Sequence, residues 1–175
     1  MNIRPAEDRD RAAIAEIHTL SWQQTYRDEL PDDLLDGRLR GIMDERWRDQ
    51  PIRDCDVVLV AEAAGGDIVG FASTWVDDDG YVDNLHVQSD WQSQGVGRAL
   101  LGETARQLLS QGVSPAWLHV ITTNQRARDF YLALGGQPGV VEDKNLYGTM
   151  VPNQRISWPD VARLAERLAV PTNQE

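Results

Sequence analysis

Between Val87 and Leu101 the chain reads Val-Gln-Ser-Asp-Trp-Gln-Ser-Gln-Gly-Val-Gly-Arg-Ala-Leu-Leu. A polar turn carrying Gly95 and Gly97 therefore joins a strand end to the first turns of an apolar-striped helix. Glycine lets main-chain N–H groups approach a ligand closely, and a helix N-terminus adds partial positive charge, so this corner suits a phosphate or pyrophosphate. Two common phosphate devices are excluded by spacing. A dinucleotide fingerprint needs a third glycine where Leu100 stands, and a Walker loop needs Gly-Lys-Ser/Thr. Asp77-Asp78-Asp79 is the other concentration of ligating groups, but Gly80 follows it directly and no His, Cys or Glu is spaced to complete a metal site, so it reads as a solvated turn.

Gln92-x-x-Gly95-x-Gly97, directly after a strand from Tyr81 to Val87, resembles the pyrophosphate loop of the GCN5-related N-acetyltransferases (GNAT family), which use acetyl-CoA. Asn124-x-x-Ala127-x-x-Phe130-Tyr131-x-x-Leu134-Gly135 resembles the second cofactor-side helix of that family, in the expected order and separation. The chain departs from the pattern at Ser89, where proline is usual, at Ser93, where glycine is usual, and at Gly136, where an aromatic or small residue is usual.

The resemblance implies direct transfer of an acetyl group from acetyl-CoA to a primary amine of a small molecule or peptide, in a ternary complex and without a metal. Backbone at Leu85, His86 and Val87 would hold the pantetheine arm and stabilise the developing oxyanion. Amides from Gln92, Ser93, Gln94, Gly95, Val96, Gly97 and Arg98 would hold the pyrophosphate, with Asn124, Ala127 and Tyr131 completing the cofactor wall. Arg98, Arg126 or Arg128 would add charge to the phosphates. Tyr131 takes the place of the family's acid, and a phenol of pKa about 10 can donate to an expelled thiolate. An aliphatic amine arrives protonated, so a base must take its proton. His119 is the preferred candidate, because a histidine of ordinary pKa near 6.5 can do that work near neutrality. Asp83 competes, expected on the same side of its strand as Leu85 and Val87. His86 is weaker, and a water chain stays open. Trp22, Gln23 and Tyr26, with Trp75 and Trp158, are candidates for an aromatic acceptor wall. Two other readings are a CoA-binding sensor without turnover and a transferase of another acyl-CoA.

Elements must place these residues, and the pattern supplies them. A short strand at Asn2–Arg4 leads through Pro5 to Asp8 into a helix with Ile14, Ile17 and Leu20 at helical spacing. A second helix is expected over 32–48. Strands at 57–63 and 68–76 are joined by Gly65-Gly66-Asp67, a hairpin signal. The helix after the glycine corner carries Val96, Leu100, Leu101, Ala105 and Leu108, then stops at Gly112. A strand at 117–121, the Asn124 helix, and two last strands at Val140–Val141 and Leu146–Trp158 follow. The order matches the acyl-CoA N-acyltransferase (GNAT) fold: α/β of the α+β type, a mixed, mostly antiparallel twisted sheet flanked by helices. Family members open a gap between their fourth and fifth strands. A C-terminal helix over 159–169 is an addition, placed to cover the sheet edge or to meet a second subunit in a homodimer. Pro171–Glu175 is expected to fray.

Composition sets outer bounds. One domain over 1–175, with its core at about 2–158, suits 175 residues of which 41% are hydrophobic. The formal charge of −11, with basic residues scattered, disfavours a nucleic-acid surface and is compatible with a cationic amine. Cys55 is the sole cysteine, so an internal disulfide is excluded. No apolar run approaches the roughly 20 residues that span a bilayer, and a cytoplasmic location is the simple expectation.

Overall fold

The computed structural model describes residues 1–169, and Pro171–Glu175 lies outside them. Seven strands form one sheet in the order β1-β2-β3-β4-β5-β7-β6, with β1 at Asn2–Pro5, β2 at Val57–Glu62, β3 at Ile68–Val76, β4 at Gly80–Val87, β5 at Ala116–Ile121, β6 at Gln137–Leu146 and β7 at Thr149–Trp158. All neighbours pair antiparallel except β4 and β5, which are parallel. Five α-helices flank it: α1 at Arg11–Thr25, α2 at Leu39–Asp49, α3 at Val96–Ser110, α4 at Gln125–Ala133 and α5 at Val161–Ala169.

The β-branched runs of β2 and β3 are buried almost throughout because helices cover both faces of the sheet. On one face Val57, Leu59 and Ala72 pack with Leu100, Leu101 and Leu108 of α3 and Tyr131 of α4. On the other, Val58, Val60 and Phe71 pack with Ile14 and Ile17 of α1 and Met43 and Trp47 of α2. Strand alternation, period two, produces these two lists directly.

The break that matters lies between β4 and β5. They pair only at Gly80↔Ala116 and Tyr81↔Trp117. Beyond that point the strands part, so the edge of β4 from Val82 to Val87 faces an opening. A bulge in β4 adds a second feature: Ser73 pairs with Asn84 and Thr74 with Val82, leaving Asp83 as the extra residue.

Several boundaries differ from the sequence expectation. The last hairpin turns at Tyr147-Gly148, inside the stretch read as one strand over 146–158, and β6 runs for ten residues, nearly all exposed. The helix expected over 32–48 divides into a wide π-type segment at Asp33–Arg38 and the α-helix α2. Leu20, assigned to the apolar stripe of α1, is 46% exposed. The C-terminal helix packs on α3: Val161 and Leu164 are buried in that core, and its Leu168 lies over Gly102.

Candidate active site

A cleft of about 1510 Å³ occupies the parting of β4 and β5. One end is the glycine corner. Gly95 caps α3 with φ +81, a left-handed conformation that a side chain adopts only with strain. A Cβ added at Gly97 would meet only Val87 Cγ2, at 3.8 Å, so protein packing does not exclude a side chain there, and the bare backbone faces space a ligand can enter. Ser93 also has positive φ, +62, which explains why glycine is the usual residue at that position. Gln92 ties the corner together: its Nε2 donates to Val87 O at 3.1 Å and its Oε1 accepts from Arg126 Nη1 at 2.6 Å. Arg126 Nη2 also donates to Ser93 Oγ at 3.0 Å, so a guanidinium from the first turn of α4 is laid over the loop.

Asn124 is the N-cap of α4, its Oδ1 accepting from Ala127 N at 3.1 Å. That bond fixes the start of the helix, and two turns on Tyr131 is carried into the cleft wall, only 8% exposed. Burial, with a smaller effect of nearby Tyr26, pushes the Tyr131 phenol above its usual value, so it stays protonated at neutral pH. Gly135, at φ +79, ends the helix, and a Cβ at the following Gly136 would lie 2.5 Å from Ile156 Cγ2.

Leu85, His86, Val87, Gln92, Ser93, Gly95, Val96, Gly97, Arg98, Asn124, Ala127, Tyr131, His119, Asp83, Trp22 and Tyr26 all line this one cleft. Gln94 is not among the lining residues, and its side-chain amide turns back to donate to Asp90 O at 2.7 Å. Trp75 is also absent from the wall, its indole donating to Asp83 Oδ2 at 2.9 Å. Trp158 is core, bonded to Leu134 O, and Gln23 donates to Leu35 O away from the cleft. Arg128 is committed to Gln154 on β7.

The two base candidates differ sharply. Asp83 Oδ2 accepts from Arg46 at 2.5 Å, from Trp75 and from Asn84, so this oxygen of the carboxylate is held by donors. The bulge also turns it toward α2, away from the α3 side where Leu85 and Val87 pack, contrary to the alternation expected of a regular strand. His119 is free of such bonds among the described residues. It stands half-buried on β5 opposite Arg155 of β7, and burial, then Lys144 and Arg155, lower its pKa despite Glu142. It is therefore neutral at neutral pH.

His86, one strand over, is pressed against α1. Its Nδ1 lies 2.7 Å from Ser21 Oγ, and its ring stacks on buried His18 at 4.9 Å. Trp47 Nε1 donates to His18 Nδ1 at 3.0 Å, which leaves the His18 proton on Nε2. Burial lowers both pKa values, that of His86 to about 4.

The Acetyltransferase (GNAT) family model matches residues 11–135. The chain belongs to this family. An uncharacterized N-acetyltransferase of Bacillus subtilis, YuaI, is 29% identical over 170 residues, covering 94% of this chain and 96% of the relative. The [ribosomal protein bS18]-alanine N-acetyltransferase of Escherichia coli K12 is 36% identical over 85 residues, 48% of this chain and 57% of that protein. Among solved structures, the PaiA N-acetyltransferase of Thermoplasma acidophilum in complex with coenzyme A shares the fold with a TM-score of 0.70 at 20% identity, over 87% of this chain and 96% of that one. As a GNAT acetyltransferase the protein takes acetyl-CoA as its acyl donor, and the open β4 edge beside a glycine corner fits that donor. Among the described residues no group of three or more His, Cys, Asp or Glu could hold a metal ion, and no helix is long and apolar enough to cross a membrane.

The GNAT cleft also contains residues that pattern reading missed. Trp117 stacks on Tyr81 at 4.3 Å, and the Arg155 guanidinium lies 4.2 Å from the Trp117 ring centre. Arg46 and Tyr147 reach the wall from α2 and from the β6–β7 turn. None carries a local signal, because their convergence depends on the register of β7 and on how α2 packs.

Proposed function

We propose that this GNAT protein is one N-acetyltransferase domain that acetylates a primary amine by direct attack, with His119 as base and Tyr131 as acid. The lone pair of the neutral amine attacks the thioester carbonyl carbon; a C–N bond forms and the C–S bond breaks. His119, neutral and facing the cleft, takes the amine proton. Tyr131, protonated because buried, gives its proton to the departing thiolate. Backbone N–H groups along the free edge of β4, near Leu85 to Val87, point where a carbonyl oxygen can collect negative charge. Gln92, Ser93, Gly95, Val96, Gly97 and Arg98, with Arg126, hold the diphosphate.

The observation that carries this reading is the parting of β4 from β5 after Tyr81↔Trp117, with the glycine corner at one end and Tyr131 and His119 on its walls. The bS18-alanine enzyme and the bovine thialysine N-epsilon-acetyltransferase, 31% identical over 97 residues, or 50% of this chain and 57% of that protein, each carry a primary-amine acceptor in their names. A single half-buried cysteine agrees with a reducing cytoplasm, and scattered basic residues with the absence of a nucleic-acid partner. A homodimer through α5 has less support, since Val161 and Leu164 are buried within the chain.

The test is thiol release from acetyl-CoA across a panel of amines, amino acids and peptides, alongside melting with and without acetyl-CoA. A melting shift with thiol release supports the proposal. A shift without release from any acceptor leaves a CoA-binding sensor, and no shift at millimolar acetyl-CoA removes the donor site.

A further inference from the structure

We infer that Trp117, stacked on Tyr81 where β4 and β5 meet, sets how long an acyl chain the donor site holds, limiting it to roughly two or three carbons. The inference rests on the placement of the pantetheine arm along β4 proposed above, and it concerns the donor rather than the amine.

The opening between β4 and β5 has a defined end. Gly80 pairs with Ala116 and Tyr81 with Trp117, and Gly80 N donates to Pro115 O at 3.0 Å, so from this point on the two backbones are bonded and no chain passes between them. At the other end lies the glycine corner, where a Cβ on Gly97 would have Val87 Cγ2 as its nearest neighbour. The free edge between them, residues 82 to 87, spans roughly 17–20 Å. From diphosphate to sulfur the arm has the length of about four extended residues, roughly 14 Å. A thioester carried down the edge from Val87 therefore stops beside the Asp83 bulge, about 3–6 Å short of the zipped pair.

A longer acyl chain can continue in line only over the zipped pair, on one face of the sheet or the other. Val82, Ala116 and Leu118 point to the α3 face and are buried in its core, which fills that side. Strand alternation sends Tyr81 and Trp117 to the opposite face. Their rings stand over the last pair of the two strands, 4.3 Å apart and within 24° of parallel, and both line the cleft. Further contacts fasten the stack. The Arg155 guanidinium lies 4.2 Å from the Trp117 ring centre, and His119 meets the same ring edge-on at 5.3 Å. The Trp117 Nε1 is buried without a hydrogen-bond partner among the described residues, so ring contacts fix the indole. An acetyl or propionyl group ends short of the two rings. A hexanoyl group runs into them.

Calorimetric titration with acetyl-CoA and hexanoyl-CoA tests this without an acceptor, in the parent, Trp117→Val and Trp117→Phe. Valine removes the ring and keeps a β-branched residue on the strand, whereas phenylalanine keeps a ring in the stack. Melting curves with and without acetyl-CoA report folding and donor binding in each protein. In the parent, hexanoyl-CoA is expected to bind no more tightly than acetyl-CoA. In Trp117→Val the added methylenes find apolar contact, and the affinity for hexanoyl-CoA relative to acetyl-CoA rises by roughly tenfold or more, with that for acetyl-CoA unchanged. Trp117→Phe stays close to the parent. The inference is overturned if the parent already binds hexanoyl-CoA roughly tenfold more tightly than acetyl-CoA, if Trp117→Val keeps the parent's ratio, or if Trp117→Phe matches Trp117→Val. Should Trp117→Val not fold, Tyr81→Val opens the stack from the other strand, and the same rise or its absence decides. A parent that binds neither thioester would instead defeat the donor reading itself.

Discussion

Ser93 and Tyr131 illustrate how differently single residues disclose their roles. Ser93 sits at φ +62 in the glycine corner, a conformation costing a non-glycine residue roughly 1–2 kcal/mol. Ser93→Gly relieves that strain but gives up its bond from Arg126 and adds unfolded-state entropy. The expected result is a stability change within about 1 kcal/mol and unaltered acetyl-CoA affinity, read by melting and by titration calorimetry. A large loss of affinity would mean that the hydroxyl itself holds the cofactor. Tyr131→Phe removes the donor while keeping the ring in its packing, so kcat should fall by roughly 10²–10⁴ with KM for acetyl-CoA retained, provided chemistry limits the rate. His119 titrates below its ordinary value, so kcat/KM should stay level as pH falls past about 6.5 and decline only below that. His119→Ala should abolish that acid limb and lower the plateau; an unchanged profile would move the base to water. The glycine corner was legible in the chain because backbone conformation and residue type are tightly linked there. Asp83 was misplaced because one bulge shifts alternation by a residue, and nothing local marks it.

The packing of α1 against β4 carries its own consequence. His18 and His86 stack between these elements, bonded to Trp47 and Ser21, and both are held neutral mainly by burial. Their folded pKa values lie below the unfolded value near 6.5, so between those limits the unfolded chain binds more protons. Stability is therefore complete above about pH 6.5 and declines as pH falls from there toward about 4, the folded value of His86. Urea melts at pH 7.5 and pH 5 should show the loss, and it should be smaller in His86→Gln; an identical pH dependence in that variant would place the effect elsewhere. The contact between His18 and His86 is not legible in the sequence, since it joins residues from separate elements. The β6–β7 turn was missed for a related reason. Leu146 to Trp158 reads as one extended run, and Tyr147 occupies a position where asparagine or glycine would have announced a turn.

Across the whole molecule, the cofactor corner is the N-terminus of α3, and α3 is wedged between the sheet and α5. Val161 and Leu164 are fully buried in that layer, Leu168 lies 3.6 Å from where a Gly102 side chain would begin, and Arg98, which lines the cleft, donates to the Arg167 carbonyl. The C-terminal helix thus supports the element that presents the glycine loop without supplying the loop itself. Leu164→Ala should cost about 2–4 kcal/mol as a buried leucine truncation. For a chain of this size that is a melting-temperature drop of roughly 5–15 °C. Because α3 and its corner keep their geometry in the folded fraction, acetyl-CoA at about a hundred times its dissociation constant should return about 2.7 kcal/mol, as much in the variant as in the parent. Parallel melting curves of the two proteins over an acetyl-CoA titration provide the measurement. Equal increments would mean that α5 acts on stability alone. A smaller increment in Leu164→Ala would mean that the helix also sets the geometry of the diphosphate corner, and the division between support and binding site drawn here would be wrong.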